Sequence, residues 1–194
     1  MLMILFIDAC ARKNSRTREL AQSVLSNLPC EGSSVETVNL YDLAPAPLTE
    51  ELIAKRDAAL MAGDFSDPYF APAKQFARAD TIIIASPYWD LSFPAVLKLY
   101  IENISVNGLA FQYDEHGIPH GLCRGRKLYY VTTAGGEIGL NNFGYEYIKA
   151  IAVGLFGIEE ATCIRAVGLD LVSVNADAVL ENAKQQMKEL RNWS

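Results

Sequence analysis

Apolar residues in this chain follow two rhythms. Residues 1–7 and Thr81–Ala85 are short unbroken apolar runs, the pattern of strands covered on both faces. Lys127–Thr133 and residues 160–167 read as two more strands, and Ser34–Asn39 alternates polar with apolar positions as a further one. Between these runs the spacing turns helical. Leu20, Val24 and Leu28 share one stripe of a helix expected over residues 15–28, which Pro29 and Gly32 stop. Thr49 caps a helix running to Ala62, and a second helix falls within residues 67–79. Pro94, tolerated in a first turn, opens a helix through Leu97 and Ile101 to about Asn103. Residues 144–156 form a helix whose only charges are Glu146 and Lys149, so it should be covered on more than one side. The last helix spans residues 176–193, with Val179, Ala183, Met187 and Leu190 in line. Residues 108–126 are punctuated by glycine and proline, which predicts an excursion or hairpin.

Five apolar strands alternating with helices imply an α/β three-layer sandwich on a parallel sheet, in a single domain over residues 1–194. Ligands of such sheets sit at the carboxyl ends of the strands, beside the topological switch point. Composition narrows the classes. With 17 Lys+Arg against 23 Asp+Glu, the net charge of −6 argues against a general nucleic-acid binder. The N-terminal apolar run stops at Asp8 and lacks a basic leader, short of the ~20 apolar residues of a membrane span. No membrane association is expected. Cys10, Cys30, Cys123 and Cys163 are widely spaced and read as reduced thiols of a cytoplasmic protein.

Three loops at strand ends carry the candidate chemistry. Residues 8–18 place Arg12, Lys13, Arg16 and Arg18 within seven positions. Ser15 and Thr17 stand there at a helix start, where unpaired N–H groups and the helix dipole favour an anion. A capped helix with a solvated basic shoulder would share these features. Neither GxxxxGK[ST] nor GxGxxG is present, which points away from triphosphate and ordinary dinucleotide sites and toward a mononucleotide such as FMN. Residues 86–94 hold Tyr88, Trp89 and Phe93 between Pro87 and Pro94, a stiff aromatic wall for a flat heterocycle or a subunit interface. Residues 132–139 contain Gly135, Gly136 and Gly139, which let backbone amides approach a ligand.

In this order the three loops resemble the flavodoxin-like family of FMN-dependent NAD(P)H:quinone oxidoreductases and NADH azoreductases. The best match is Pro87-Tyr88-Trp89-Asp90, the Pro94-x-x-Leu97-Lys98 helix start, Phe111-Gln112-Tyr113, Gly121-Leu122, Gly125-x-Lys127 and Thr133-x-Gly135-Gly136. The resemblance implies a flavodoxin-like sheet of order 2-1-3-4-5. It also implies a homodimer with one FMN per subunit, reduced by NADH or NADPH and oxidised by a small-molecule quinone, azo or similar acceptor in a ping-pong cycle. By position, Ser15, Arg16 and Thr17 would hold the FMN phosphate. Pro87, Tyr88, Trp89 and Asp90 would border the isoalloxazine on one side, and Thr133, Ala134, Gly135 and Gly136 on the other. No side chain need act as nucleophile, because flavin carries the hydride.

Three positions depart from the family pattern: Ala9 where a second phosphate-facing serine is frequent, Ala134 where azoreductases often carry arginine, and Asp90 where an amide is common. An ionised Asp90 facing the ring would disfavour its anionic reduced form and lower the flavin potential. His116 and His120 stand four apart beside Asp114 and Glu115, but Gly117 and Pro119 between them argue against a helical metal pair. An electron carrier of flavodoxin type and a flavin-free binding or regulatory domain remain alternatives on the same fold.

Overall fold

A computed structural model describes residues 2–29, 32–140 and 142–190, with side chains described through Gln186. Met1, Cys30, residues 191–193 of the expected last helix, and the Met187 and Leu190 side chains lie outside the described residues. Five parallel strands form the sheet: β1 (Met3–Asp8), β2 (Ser34–Asn39), β3 (Thr81–Ala85), β6 (Lys127–Thr133) and β7 (Glu160–Ala166). Between β3 and β6, the short strands β4 (Phe111–Tyr113) and β5 (Pro119–Gly121) pair antiparallel as a hairpin within the expected excursion. The sheet order β2-β1-β3-β6-β7 is the anticipated 2-1-3-4-5 once the hairpin strands are left out of the count.

Helices cover both faces, and the side-chain alternation of the strands explains why. Met3, Leu5 and Ile7 of β1, Ile82 and Ile84 of β3, and Leu128 and Tyr130 of β6 share one core cluster. It is covered by α3 (Glu50–Ala62), α4 (Ala71–Arg78), α5 (Ala95–Ile104) and α6 (Tyr145–Gly154). Ile4, Phe6, Ile83, Ala85 and Val131 face the other way, against α1 (Arg16–Asn27) and α7 (Ala176–Leu190). Each central strand is therefore apolar on both sides.

Several boundaries differ from the sequence reading for local reasons. Strand β1 includes Asp8, and Leu28 leaves the helix as the extended C-cap of α1. Pro94 is the N-cap of α5 rather than a first-turn residue. The segment expected as one helix within residues 67–79 is a 3₁₀ turn, Pro68–Phe70, running into α4. A four-residue helix, α2 (Leu40–Leu43), went unread; Asn39 caps it and Ala44 ends it at φ 48°. Helix α6 stops at Gly154, and Gly157 turns the chain at φ 76°. Gly121 of the hairpin lies so close to the Phe156–Gly157 backbone that any side chain there would collide with it.

Candidate functional site

The carboxyl edge of the sheet opens into a crevice of about 440 Å³, within the range of ligand pockets. Four loops line it, where the sequence indicated three. The first is the β1–α1 loop. Ser15 caps α1 by accepting from the Arg18 N–H at 3.3 Å, so its hydroxyl oxygen is already engaged by the helix. Thr17 is buried, and its Oγ1 lies 2.6 Å from Thr133 Oγ1 at the end of β6. Only one of these two hydroxyls can donate to the other, so the pair retains a proton for a ligand. Arg16 Nη1 donates to Asp170 Oδ1 at 3.1 Å and to the Leu169 carbonyl at 3.3 Å.

The four loop cations separate in space. Arg12 and Arg16 line the crevice. Arg18 turns inward instead, with Nε on Asp8 Oδ2 and its terminal nitrogens on the carbonyls of Cys10, Arg12 and Lys13 at 2.7–2.8 Å. The Asp8 carboxylate holds the Arg18 guanidinium in its charged form above its ordinary pKa. Asp8 is thus a buried ion-pair partner at the strand end. Arg18 is accordingly a weaker candidate for a ligand than its place in the basic run suggested.

The second loop follows β3. Pro87, Tyr88 and Trp89 reach the crevice, and Trp89 is 40% exposed, a free flat surface. Phe93 does not join this wall; it packs on Tyr147 of α6 with ring centroids 5.6 Å apart. Between Trp89 and Ser92 the chain reverses in a two-residue hairpin closed by main-chain bonds of 3.1 and 2.8 Å. Its central residues, Asp90 and Leu91, have φ of 49° and 66°, as a primed turn requires. Aspartate takes up this conformation readily, whereas leucine does so at about 1–2 kcal/mol. Asp90 is exposed and stands outside the crevice lining, at the first central position of the turn.

The third loop supplies Thr133, Ala134 and Gly135, while Gly136 stands outside the lining. The fourth, after β7, was missed. Leu169 and Asp170 belong to the crevice because the N–H groups of Gly168, Leu169 and Asp170 bond the carbonyls of Gly136, Ala134 and Gly135 at 2.9–3.1 Å. A Cβ at Gly135 would meet the Asp170 carboxylate and displace it from its ion pair with Arg16. The rule that pointed to three strand ends applies equally to β7, so this loop was findable by position though not by composition.

Cys10, under the first loop, donates its thiol to the Ala85 carbonyl at 3.6 Å, and burial pushes it up to about 12. It stays a neutral thiol. Among the described lining residues there is no histidine and Asp170 is the single carboxylate, so the lining offers charge, hydroxyls and flat walls rather than an acid–base pair. On the β4–β5 hairpin His120 Nε2 meets Asp114 Oδ2 at 3.0 Å, and among the described residues no cluster of His, Cys, Asp and Glu is grouped to hold a metal.

A family model described as flavodoxin-like fold matches residues 3–190. The FMN-dependent NADH:quinone oxidoreductase 2 of Clostridium acetobutylicum is 36% identical, across 97% of this chain and 100% of its own. Among solved structures, the azoreductase of Bacillus anthracis str. Sterne superimposes with a TM-score of 0.84 at 21% identity, over 100% of both chains. The FMN-dependent NADH-azoreductase of Bacillus anthracis str. Ames Ancestor, in complex with FMN, does so at 0.82 and 23% identity, covering 99% of this chain and 98% of that one. These two likenesses establish the fold. With the family match spanning nearly the whole chain, and a strand order and crevice of the kind the sheet demands, the protein belongs to the flavodoxin-like fold family.

Proposed function

We propose that this chain is an FMN-dependent NADH:quinone oxidoreductase, with azo compounds as further acceptors, that works by a ping-pong cycle. The observation that carries the reading is a single crevice with Arg12, Arg16 and Thr17 from the β1–α1 loop at one end, Tyr88 and Trp89 from the loop after β3 at the other, and Thr133 between them, bonded to Thr17 and to the Tyr88 N–H. The donor set fits FMN: an anionic phosphate suits the first end and a flat ring the second. Ser15, Arg16 and Thr17 would hold the phosphate, with Arg12 and Asn14 added by the crevice lining. Pro87, Tyr88 and Trp89 would border the ring on one side, and Thr133, Ala134 and Gly135 on the other. Asp90 and Gly136 would act through the shape of their loops. Bound flavin would accept hydride from the nicotinamide and pass electrons to the acceptor. The chain's task is then geometric: to stack reactants over the ring and keep them aligned.

We further infer a homodimer joined beside the crevice mouth. Leu91 (51% exposed) and Phe143 (59%) form an apolar edge there, tied by the Phe143 N–H to Leu91 carbonyl bond of 3.0 Å. Ser92, Phe93, Phe143 and Tyr147, with Lys98 and Glu146, surround an adjoining hollow. Exposed apolar side chains beside the crevice mouth offer a second copy of the chain a surface to cover. The free thiols of Cys10, Cys123 and Cys163 support a reducing, cytoplasmic setting, and both helical layers share one sheet, which supports a single domain.

The test is anaerobic stopped-flow on FMN-loaded protein. NADH should bleach the flavin, with NADPH as the parallel arm, and a quinone should restore it. Parallel lines in double-reciprocal plots would show the ping-pong order. Flavin that takes no electrons from either nicotinamide would replace this reading with an electron carrier, and failure to bind FMN would remove both.

A further inference from the structure

We propose that Arg18, seated on Asp8, is a positioning residue that shapes the phosphate loop by capturing its carbonyls and so aiming its amides at the ligand; this rests on residues 10–17 being the FMN phosphate end. The guanidinium sits below the loop like a peg. It accepts no role toward the crevice, because its bonds run to Asp8 Oδ2 and to the carbonyls of Cys10, Arg12 and Lys13. Asp8 Oδ1 completes the arrangement by accepting the Cys10 N–H at 2.9 Å. Peptide units are planar, and all described here are trans. Within each unit the carbonyl and the following N–H point opposite ways. Fastening the carbonyls of Cys10, Arg12 and Lys13 on Arg18 therefore turns the N–H groups of Ala11, Lys13 and Asn14 away from it.

None of those three amides has a partner among the described residues. Ala11 and Asn14 line the crevice. The unpaired amides of the two lining residues, Ala11 and Asn14, are donors open to an anion in the crevice, and the Arg16 and Thr17 amides of the first turn of α1, which have no helix carbonyl to bond, add to them. Glycine-rich phosphate loops reach such shapes through backbone freedom. Residues 9–15 contain no glycine, and the Arg18 fork takes that part: five donors in a plane can hold one carboxylate and several carbonyls at once. A lysine keeps the charge but cannot span these acceptors.

The experiment compares the full-length wild type with Arg18→Lys and Asp8→Asn, each freed of flavin and titrated with FMN and with riboflavin. Hydrogen exchange of the buried Cys10 amide, which donates to Asp8 Oδ1, is followed in parallel without ligand. Arg18→Lys is expected to weaken FMN about 30-fold while riboflavin shifts by less than about threefold, as for a lost charge-assisted network. Exchange at the Cys10 amide should quicken in Arg18→Lys with the sheet amides unchanged, and Asp8→Asn should give a smaller change of the same kind. Equal weakening of both ligands, undiminished FMN affinity, or unaltered exchange at Cys10 would overturn the proposal, as would failure of both variants to fold. A wild type that binds FMN and riboflavin equally would sink the phosphate assignment instead. The exchange measurement would then decide by itself whether Arg18 shapes the loop.

Discussion

At the cationic end of the crevice Thr17 and Thr133 share a buried hydrogen bond of 2.6 Å, and Arg18 is bonded to Asp8 and three carbonyls. At the aromatic end Trp89 stands 40% exposed on a turn closed by main-chain bonds, with Leu91 and Phe143 bare beside it. One end is completed within the chain by buried polar links. The other presents surfaces that await something to cover them. A phosphate is recognised by a few short, directed bonds, which demand fixed donors; a flat ring is recognised by area, which a second copy of the chain can help supply. The cationic end should therefore be preformed in the monomer, and the aromatic end finished by assembly.

The contrast can be broken most sharply at Phe143. Phe143→Glu is expected to convert the proposed dimer to monomer, a loss of association of 100-fold or more (~3 kcal/mol) for a charge placed in an apolar contact. Sedimentation velocity checks this, and FMN binding should weaken far less than quinone reduction. Next in size is Thr17→Val, which removes the hydroxyl pair and leaves Thr133 buried without its partner. FMN affinity should fall by about 10–100-fold (~1–3 kcal/mol) in a fluorescence titration, with no effect on association. Leu91→Gly relieves a left-handed leucine and should raise the melting temperature, by about 1 kcal/mol of stability, provided the dimer contact is retained. Asp90→Asn, at the neighbouring turn position, should leave the flavin potential unchanged in redox titration; a rise would place the carboxylate at the ring after all.

The smallest effect near neutral pH concerns the thiols. Burial pushes Cys10 and Cys123 up to about 12 and Cys163 to about 11, from an ordinary value of 9.0. A folded-state pKa above the unfolded one adds stability that is fully present below pH 9 and is lost as pH rises toward 12. Denaturant melts should be flat from pH 7 to 8.5 and decline above pH 9. Iodoacetamide should label the native thiols slowly at pH 8, where the reactive thiolate is scarce.

Much of the fold was legible because its signals are local. The alternation at Ser34–Asn39 and the runs at Thr81–Ala85 and Lys127–Thr133 end where the strands end, since the rhythm that marks a strand is carried by its own residues. Thr49 and Ser15 cap their helices as expected, each accepting an N–H three residues on. Helix α2 was not legible, since four residues carry no periodicity. Phe93 was assigned to the ring wall because three aromatics on one loop look alike in sequence, yet two lie on either side of a hairpin that sends them to different neighbours.

Sequence alone determined the layered α/β architecture, the edge of the sheet that carries the site, and most of the residues gathered there, because apolar period and strand ends are properties of short segments. Tertiary structure decided which cations face the crevice and which is consumed by Asp8. It also brought Leu169 and Asp170 to the site and set Asp90 in a turn. Those outcomes depend on contacts between residues as far apart as Arg16 and Asp170, and charge, unlike hydrophobicity, takes its meaning from its partner.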